Sequence, residues 1–283
     1  MIAVTDDRIM VAVTFHYRHD RLEHLYQTIR SIAHYPVQEV TFHIYTNSAD
    51  ASQHQAIHEL LSELTEVFPG AGNTSRTIEI HTVEGLDNPQ HLTWAHKPLI
   101  REFIGSCYTH FIYTEDDHEI TYANFLYFRT YRNILAPHGL YPGFQRIELN
   151  KSDMVLHSTD QVGPSRVIPR AKIDMGEFIF MTMDNPYYGF FILDQHLAGE
   201  YVTNRAFDME SSKESFGWEV CERSAMALTF ENVPDGFWVR PVVPVTKGHR
   251  IASVACVRHL PNNYANNPSS PLGSMRMSDV IKD

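Results

Sequence analysis

The sequence predicts an α/β fold whose first half has a mostly parallel central sheet and whose second half is mixed sheet and loops. Apolar, β-branched runs alternate with helical patterns over the first 135 residues, and short strand patterns broken by Pro, Gly and Asp follow. The 283 residues include 43% hydrophobic residues, which is enough for a substantial core. This alternation implies right-handed crossovers, so we expect ligands to bind beyond the carboxyl ends of the strands.

The first half contains four predicted strands. The segment IMVAVTF at residues 9–15 is a continuous apolar run, typical of a strand that is buried on both faces. Residues 20–34 then show apolar side chains at helical spacing, namely Leu22, Leu25, Ile29 and Ile32. The pattern continues with a strand at 40–46, a helix through 57–64, a strand at 77–83, a helix at 94–104 and a strand at 109–114.

The rest of the chain has a less regular pattern. It predicts helices at 124–135 and 218–230 and strands at 154–156, 178–181, 188–193, 237–240 and 251–257. We expect one domain over residues 1–265, with two halves that meet near residue 120. Residues 266–283 are rich in turn-forming Asn, Pro and Ser, which predicts a flexible tail.

Composition excludes several classes of partner and site. A net charge of −11 argues against binding to nucleic acid or to anionic lipid. Three widely spaced cysteines suggest neither a disulfide framework nor a zinc cluster, which fits a reducing cytoplasm. The sequence shows no apolar signal region and no apolar run of about 18 residues, so we expect no transmembrane segment. Peripheral association with a membrane assembly stays open.

Three adjacent acids, Glu115, Asp116 and Asp117, directly follow the fourth predicted strand. Neighbouring carboxylates repel one another, and a bound cation offsets that repulsion. Mg²⁺ or Mn²⁺ held by such carboxylates can neutralise a diphosphate leaving group. The alternative is that the acids stabilise the start of the helix predicted at 124–135.

The surrounding segment FIYTEDDHEITYANFLYF, at residues 111–128, resembles the DxD region of GT-A glycosyltransferases. The Glu-Asp-Asp triplet is most similar to that of the N-acetylglucosaminyltransferases that branch N-glycans. This resemblance implies a GT-A catalytic domain with a Rossmann-like nucleotide-binding half and a mixed acceptor-side half. It also implies that Asp117 is a ligand of Mn²⁺ or Mg²⁺ and that Glu115 and Asp116 contact the donor.

Further donor contacts are expected from the same resemblance. The loop after the first strand would lie along the base and ribose, through Phe15, His16, Tyr17 and Arg18. Basic side chains elsewhere would hold the diphosphate: Lys97, Lys247, Arg250 and Arg258. The alternative for the loop is an ordinary charged connection between a strand and a helix.

The segment FGWEVCER, at residues 216–223, resembles the one that opens a helix and supplies the general base in these enzymes. Glu219 takes the place of its first acid, whereas Val220 replaces the acid that often follows. Glu222 lies one helical turn from Glu219 and is the alternative base. A capped amphipathic helix with no catalytic role is the other interpretation.

Segments near the C-terminus of GT-A enzymes often supply a histidine ligand to the metal. The segment around His259 is similar to these, so His259 is the expected ligand. His249 is the second candidate. The aromatic and polar segment at residues 184–190, together with Trp218, suits sugar recognition. The expected acceptor contacts are Asp184, Asn185, Tyr188 and Trp218.

Together these features predict a glycosyltransferase that moves a sugar from a UDP- or GDP-sugar to a carbohydrate or glycoconjugate acceptor, as in polysaccharide biosynthesis. Transfer with inversion is expected because a candidate base is present. One alternative is a metal-dependent phosphoester hydrolase, since acids and histidines also build two-metal sites. The other is a non-catalytic domain that binds a nucleotide or a carbohydrate.

Overall fold

The structure, a computed structural model, describes residues 4–48, 50–66, 74–166, 172–214 and 217–282. Phe216 of the predicted base segment and residue 283 of the predicted tail lie outside these ranges. The α-helices of the described residues are α1 Leu22–Ala33, α2 Ala51–Glu66, α3 Lys97–Phe103, α4 Tyr122–Leu135, α5 Gln195–Val202 and α6 Val220–Ala225. None of the helices in these ranges combines the length and the apolar character needed to cross a bilayer.

The strands are short in the second half of the chain, as its irregular pattern predicts. In chain order they are β1 Thr5–Phe15, β2 Val37–Thr46, β3 Ser75–Thr82, β4 His110–Glu115, β5 His118–Glu119, β6 Tyr141–Pro142, β7 Gln145–Asn150, β8 Val155–Ser158, β9 Ser165–Arg166, β10 Lys172–Asp174, β11 Phe178–Met181, β12 Phe190–Asp194, β13 Pro241–Thr246, β14 Cys256–His259, β15 Met275–Arg276 and β16 Ile281–Lys282.

The chain divides into two compact units. The first comprises Met1–His118 and Gly189–Ala227, and the second comprises Glu119–Tyr188 and Leu228–Asp283. The first boundary lies close to residue 120, where the sequence places the division between the two halves. The return of Gly189–Ala227 to the first unit is not part of that prediction.

The first unit contains a five-stranded sheet in the order β12-β4-β1-β2-β3. Four strands are parallel, and β12 runs antiparallel to β4. Since Phe15 pairs with Thr46 and Thr14 pairs with Glu115, the carboxyl ends of β1, β2 and β4 share one edge. The chain leaves β1 toward β2 and later returns on the other side as β4, so a topological switch point lies between β1 and β4. The predicted α/β fold with a mostly parallel sheet is confirmed.

Burial explains why this sheet forms where the sequence predicts it. The side chains from Ile9 to Val13 are fully buried, as expected for a strand covered on both faces. The apolar stripe of α1 is also buried, and its members are Leu22, Leu25, Ile29 and Ile32. The first βα unit therefore follows from two patterns in the sequence, the continuous apolar run of β1 and the helical spacing of apolar residues in α1.

The second unit contains two further sheets. One has the order β10-β11-β13-β6, and the other includes β15, β8, β7 and β14 in that order. A capping box between Thr121 and Asn124 starts α4. The Asn124 side-chain amide also donates to the carbonyls of Val254 and Cys256, at 2.8 and 3.0 Å. The start of this helix is thereby tied to the segment that leads into β14.

Elements in the later part of the chain differ from the prediction. The helix predicted at 218–230 is limited to α6, Val220–Ala225, and the helix α5 was not predicted. No strand forms at 237–240 among the described residues, where the backbone N–H groups of Phe237 and Arg240 donate to the carbonyls of Pro234 and Thr229. The strand begins one residue later as β13.

The segment predicted as a flexible tail contains two short paired strands. β15 pairs with β8, and β16 pairs with β9. Just before β15, the Gly273 N–H donates to the Thr159 carbonyl at 2.9 Å. Gly273 has φ +71°, and a Cβ atom at this position would lie 2.3 Å from the backbone nitrogen of Ala265. The two strand pairs and the close packing of this glycine therefore hold the segment against other residues of the second unit.

Candidate functional site

The acidic triplet lies at the carboxyl edge of the first-unit sheet. β4 ends at Glu115, and the chain then turns through Asp116 and Asp117. Asp116 and Asp117 are 3% and 5% exposed, and Glu115 is half-buried. Because β4 neighbours β1, the two buried carboxylates lie at the switch point of the sheet, where open α/β folds bind ligands.

Arg21 binds both of these carboxylates. Its Nε and Nη2 donate to the two oxygens of Asp116 at 2.8 and 2.7 Å, and Nη2 also donates to Asp117 Oδ2 at 2.8 Å. Arg21 ends the short 3-10 turn His19–Arg21 that connects β1 to α1. The paired, two-point contact with Asp116 is the geometry in which a guanidinium binds carboxylate or phosphate most strongly.

Negative charge exceeds positive charge around Asp116. Burial raises the pKa of Asp116, and the neighbouring carboxylate of Asp117 raises it further, whereas Arg21 lowers it and Glu115 raises it. Burial alone would lower the pKa of Arg21, but Asp116 and Asp117 outweigh burial, and its pKa is raised. Among the described groups that act on the Asp116 pKa, one guanidinium thus faces three carboxylates. A second cation would be stabilised here.

One histidine lies beside the acids, and a second interacts with Arg21. His118 is fully buried, with its Nδ1 3.2 Å from Asp117 Oδ1 and 3.3 Å from the hydroxyl of Thr114. His16, at the end of β1, has its pKa lowered by burial and then by Arg21, so its imidazole is neutral at physiological pH. His118 can therefore share a hydrogen bond with Asp117, whereas His16 interacts with Arg21.

The helix α6 lies near the end of β4. Burial raises the pKa of Cys221, and Glu115 and Glu222 raise it further. Trp94 Nε1 donates to the Val220 carbonyl at 2.8 Å. The structure thus brings Glu115 of the triplet and the first turn of α6, with the two candidate bases, to one region of the first unit.

The two candidate bases have different surroundings. Glu219 is exposed. Glu222 is half-buried and its Oε2 accepts the backbone N–H of Glu219 at 2.9 Å, so this carboxylate caps the helix. Arg223 donates to the Trp218 carbonyl at 2.7 Å and fixes the half-buried tryptophan before the helix. Glu219 is therefore the more accessible of the two carboxylates.

Lys97 does not lie at an open anion site. It is 5% exposed, and its Nζ donates to the Ser224 carbonyl at 3.2 Å. Its ammonium nitrogen is 4.7 Å from the ring centre of Trp94 and 4.2 Å from that of Tyr201. Burial lowers the pKa of Lys97 well below its ordinary value. This packing corrects the expected diphosphate contact, because the amine instead ties α3 to α6.

The predicted loop after β1 makes several internal contacts. Phe15 is fully buried and packs edge-to-face against Tyr17, with 5.8 Å between ring centres. The Tyr17 N–H donates to Asn47 Oδ1 at 3.0 Å, which joins the ends of β1 and β2. Arg18 is 65% exposed and pairs with Asp20. The basic contact to the acids thus comes from Arg21, which the sequence prediction missed.

One signal in the sequence could have identified Arg21. Helix dipoles favour acidic side chains at the N-terminal turn of a helix, so a basic residue there needs another partner. In a parallel sheet, the turn after one strand also lies close to the turn after its neighbour. Combined with the pairing of β1 and β4 that the structure shows, the two rules connect this turn with the acidic triplet.

The remaining predicted contacts belong to the second unit. The Nδ1 of His259 is 2.5 Å from Glu148 Oε1, and its ring stacks on Tyr264. Lys247, Arg250 and Arg258 are exposed, the first two in the turn after β13, which also contains the second candidate ligand His249. The proposed roles of these residues at the donor site stay predictions.

The predicted acceptor segment is partly used for internal bonds. Asn185 donates through its side chain to the Asp160 carbonyl at 3.1 Å. Tyr188 is buried against Phe144, and burial raises its pKa, which is typical of a core position. Asp184 is exposed. Of this segment, Asp184 is the side chain most available to a sugar.

Neither a scan against protein-family models nor a search of curated proteins finds a match to this chain. The chemistry of the acidic edge is consequently the basis for assigning a function. Its carboxylate oxygens suit a hard divalent cation, and Arg21 suits a phosphate group. Both kinds of contact occur together where a nucleoside diphosphate is bound.

Proposed function

We propose that the chain is a metal-dependent glycosyltransferase that uses a nucleoside-diphosphate sugar as donor. The observation that supports it most is the pair of buried carboxylates, Asp116 and Asp117, bound to Arg21 at the switch point of a mostly parallel sheet. A protein that binds no cation or phosphate would gain little from collecting three acids and one arginine there, because desolvation of these charges is costly.

The residues fit a divalent cation of the Mg²⁺ or Mn²⁺ class. Such ions prefer oxygen ligands and commonly take one or two protein carboxylates together with phosphate oxygens. Asp117 would hold the ion, with Asp116 beside it, and their excess of negative charge favours this. When bound, the ion supplies charge neutralisation for the departing diphosphate.

Other side chains would bind the donor and accept the proton of the acceptor. Arg21 exchanges a carboxylate for a phosphate oxygen of the donor, a switch that its planar guanidinium permits without loss of hydrogen bonds. Tyr17 and His16, at the end of β1, offer rings to the nucleoside. Glu219 accepts the proton of the acceptor hydroxyl as that oxygen attacks the anomeric carbon, which gives inversion.

Calorimetric titration with UDP and with GDP, each with and without Mn²⁺, tests the binding step. We expect Mn²⁺-dependent binding of one nucleotide, and Asp117→Asn should weaken it by about 10- to 100-fold or more. Asp87→Asn is the matched control, because that exposed acid makes none of the contacts described for the donor site and should leave affinity unchanged. Equal affinity of Asp117→Asn and the unmodified chain would refute the assigned role.

Glu219→Gln separates transfer from binding. The substitution should abolish sugar transfer and leave nucleotide affinity unchanged, because the base acts only on the acceptor. Release of free sugar phosphate instead of transfer would favour the phosphoester hydrolase. Nucleotide binding with no turnover of a panel of donors, in both the unmodified chain and the variant, would favour the non-catalytic domain.

A further inference from the structure

Three potential metal ligands lie together on the outer strands of the first-unit sheet. His43 is on β2, and Glu79 and His81 are on β3. The parallel register pairs His43 with Glu79 and Tyr45 with His81. Because side chains alternate along a strand, these residues all point to one face of the sheet. This cluster is not part of the donor site described above.

The ligand atoms are spaced as a metal would require. His43 Nδ1 is 3.1 Å from His81 Nε2 and 3.3 Å from Glu79 Oε2, and His81 Nε2 is 3.8 Å from the same oxygen. In a tetrahedral zinc site with bonds of about 2.0–2.1 Å, ligand atoms lie about 3.3–3.4 Å apart. The three atoms therefore form one face of a tetrahedron of suitable size.

The cluster is held in place before any metal binds. Continuous pairing of β2 and β3 from Glu39 to Thr46 fixes the relative positions of the three residues. The His81 ring stacks between those of His43 and Tyr45, at 5.3 and 4.9 Å between centres. Ligands fixed in this way lose little entropy on binding.

Hydrogen bonding alone satisfies this cluster poorly. In one tautomer, a single proton on His43 Nδ1 would have to serve both His81 Nε2 and Glu79 Oε2. In the other, His81 Nε2 donates to His43 Nδ1, and no proton lies between His43 Nδ1 and Glu79 Oε2. The other ring nitrogen of His43, Nε2, is buried and has no hydrogen-bond partner among the described residues. All polar contacts of this imidazole are thus on the side where the three ligand atoms converge, and one cation could satisfy them together.

We propose that His43 Nδ1, His81 Nε2 and Glu79 Oε2 bind a divalent metal of the Zn²⁺ class. Two imidazoles and one carboxylate favour zinc or a similar transition metal over Mg²⁺. Three protein ligands leave one position for water or an external ligand. The side chains of His81 and Glu79 are 35% and 57% exposed, so this position is reached from solvent at the outer strand of the sheet.

Titration of the full chain with Zn²⁺, without nucleotide, tests this site. We expect one Zn²⁺ site that His81→Ala weakens by about 100-fold or more, since even the loss of an outer-shell partner commonly costs 10- to 100-fold. His58→Ala is the matched control, because it removes an exposed histidine from α2 in the same unit. Asp117→Asn should also bind Zn²⁺ normally, which separates this site from the donor site.

Nitrogen-15 NMR of the histidine rings in the unmodified chain gives a second readout that needs no substitution. Zn²⁺ should shift Nδ1 of His43 and Nε2 of His81 toward the values of metal-bound imidazole. Zinc affinity unchanged by His81→Ala, shifts confined to other histidines, or no preference for Zn²⁺ over Mg²⁺ would each overturn the proposal.

Discussion

Replacing Arg21 by Met should destabilise the chain near neutral pH and much less at acid pH. The guanidinium is the cation that pairs with both Asp116 and Asp117, and the side chains of these acids are only 5% and 8% exposed. Methionine keeps much of the volume and removes the charge. The substitution therefore leaves two buried carboxylates without their arginine partner.

The burial of this ion pair determines how much stability the Arg21→Met variant should lose. Removing one member of a buried ion pair costs about 3–5 kcal/mol, because the remaining charge stays desolvated. Arg21 retains 27% of its side-chain exposure, which lets water replace part of the lost interaction. We therefore expect the free energy of unfolding to fall by about 3 kcal/mol in the Arg21→Met variant near pH 8.

The pH dependence follows from the pKa of Asp116. Burial and Asp117 raise this pKa above its ordinary value of 3.8, and Arg21 opposes the shift. A raised pKa contributes stability that is complete below the ordinary value and is lost as pH rises through the folded-state value. Without Arg21 the folded-state pKa of Asp116 rises further, so the loss of stability caused by the substitution should grow as pH rises from the folded-state pKa of the unmodified chain toward that of the variant.

Urea unfolding monitored by tryptophan fluorescence measures this deficit, and Trp94 and Trp218 report on the first unit. Arg18→Met is the matched control, because Arg18 is exposed and pairs with exposed Asp20, so no measurable change is expected. A deficit that is the same at acid and neutral pH would refute the electrostatic explanation. So would equal effects of the two substitutions.

Two further predictions concern the second unit and the thiols. Gly273→Ala should lower the free energy of unfolding by about 2–4 kcal/mol, because Gly273 has φ +71° and the added Cβ would meet Ala265. Gly163→Ala is the control: a Cβ at Gly163 would have no neighbour within 4 Å, so this variant should be nearly neutral in thermal unfolding. A harmless Gly273→Ala would support the flexible tail predicted from the sequence. Burial raises the pKa of Cys256 to about 12, so at pH 8 only about one Cys256 thiol in 10,000 is ionised. A disulfide reagent should therefore label exposed Cys107 far faster than Cys256. Loss of the fast phase in Cys107→Ser checks the assignment, and fast labelling of Cys256 would contradict it.

The sequence predicts the first unit well because two simple patterns control it. The run at residues 9–15 is apolar at every position except Thr14, and Leu25 and Ile29 recur at helical spacing. Both signals are local, and burial of the same residues is what stabilises the elements. The position of the acidic triplet beyond β4 follows from the same reasoning.

Other features depend on partners that are distant in sequence. Lys97 looked suited to a phosphate until the structure showed its ammonium packed on the aromatic rings of Trp94 and Tyr201. Arg21 was overlooked because its partners are 95 and 96 residues away. The cluster of His43, Glu79 and His81 likewise depends on the register of two strands, which the sequence alone does not specify.

The chain passes from the first unit to the second and back again, and this order matters during synthesis on the ribosome. The partner of β4 on its outer side is β12, and Phe190–Asp194 is translated only after about seventy residues of the second unit. Until then, the nascent chain carries the hydrophobic strand β4 with an open edge, a template for pairing with another chain. A fragment that ends after the acidic triplet should therefore aggregate. Once the residues through Ala227 have left the ribosome, β12 can pair with β4 and cover the open edge.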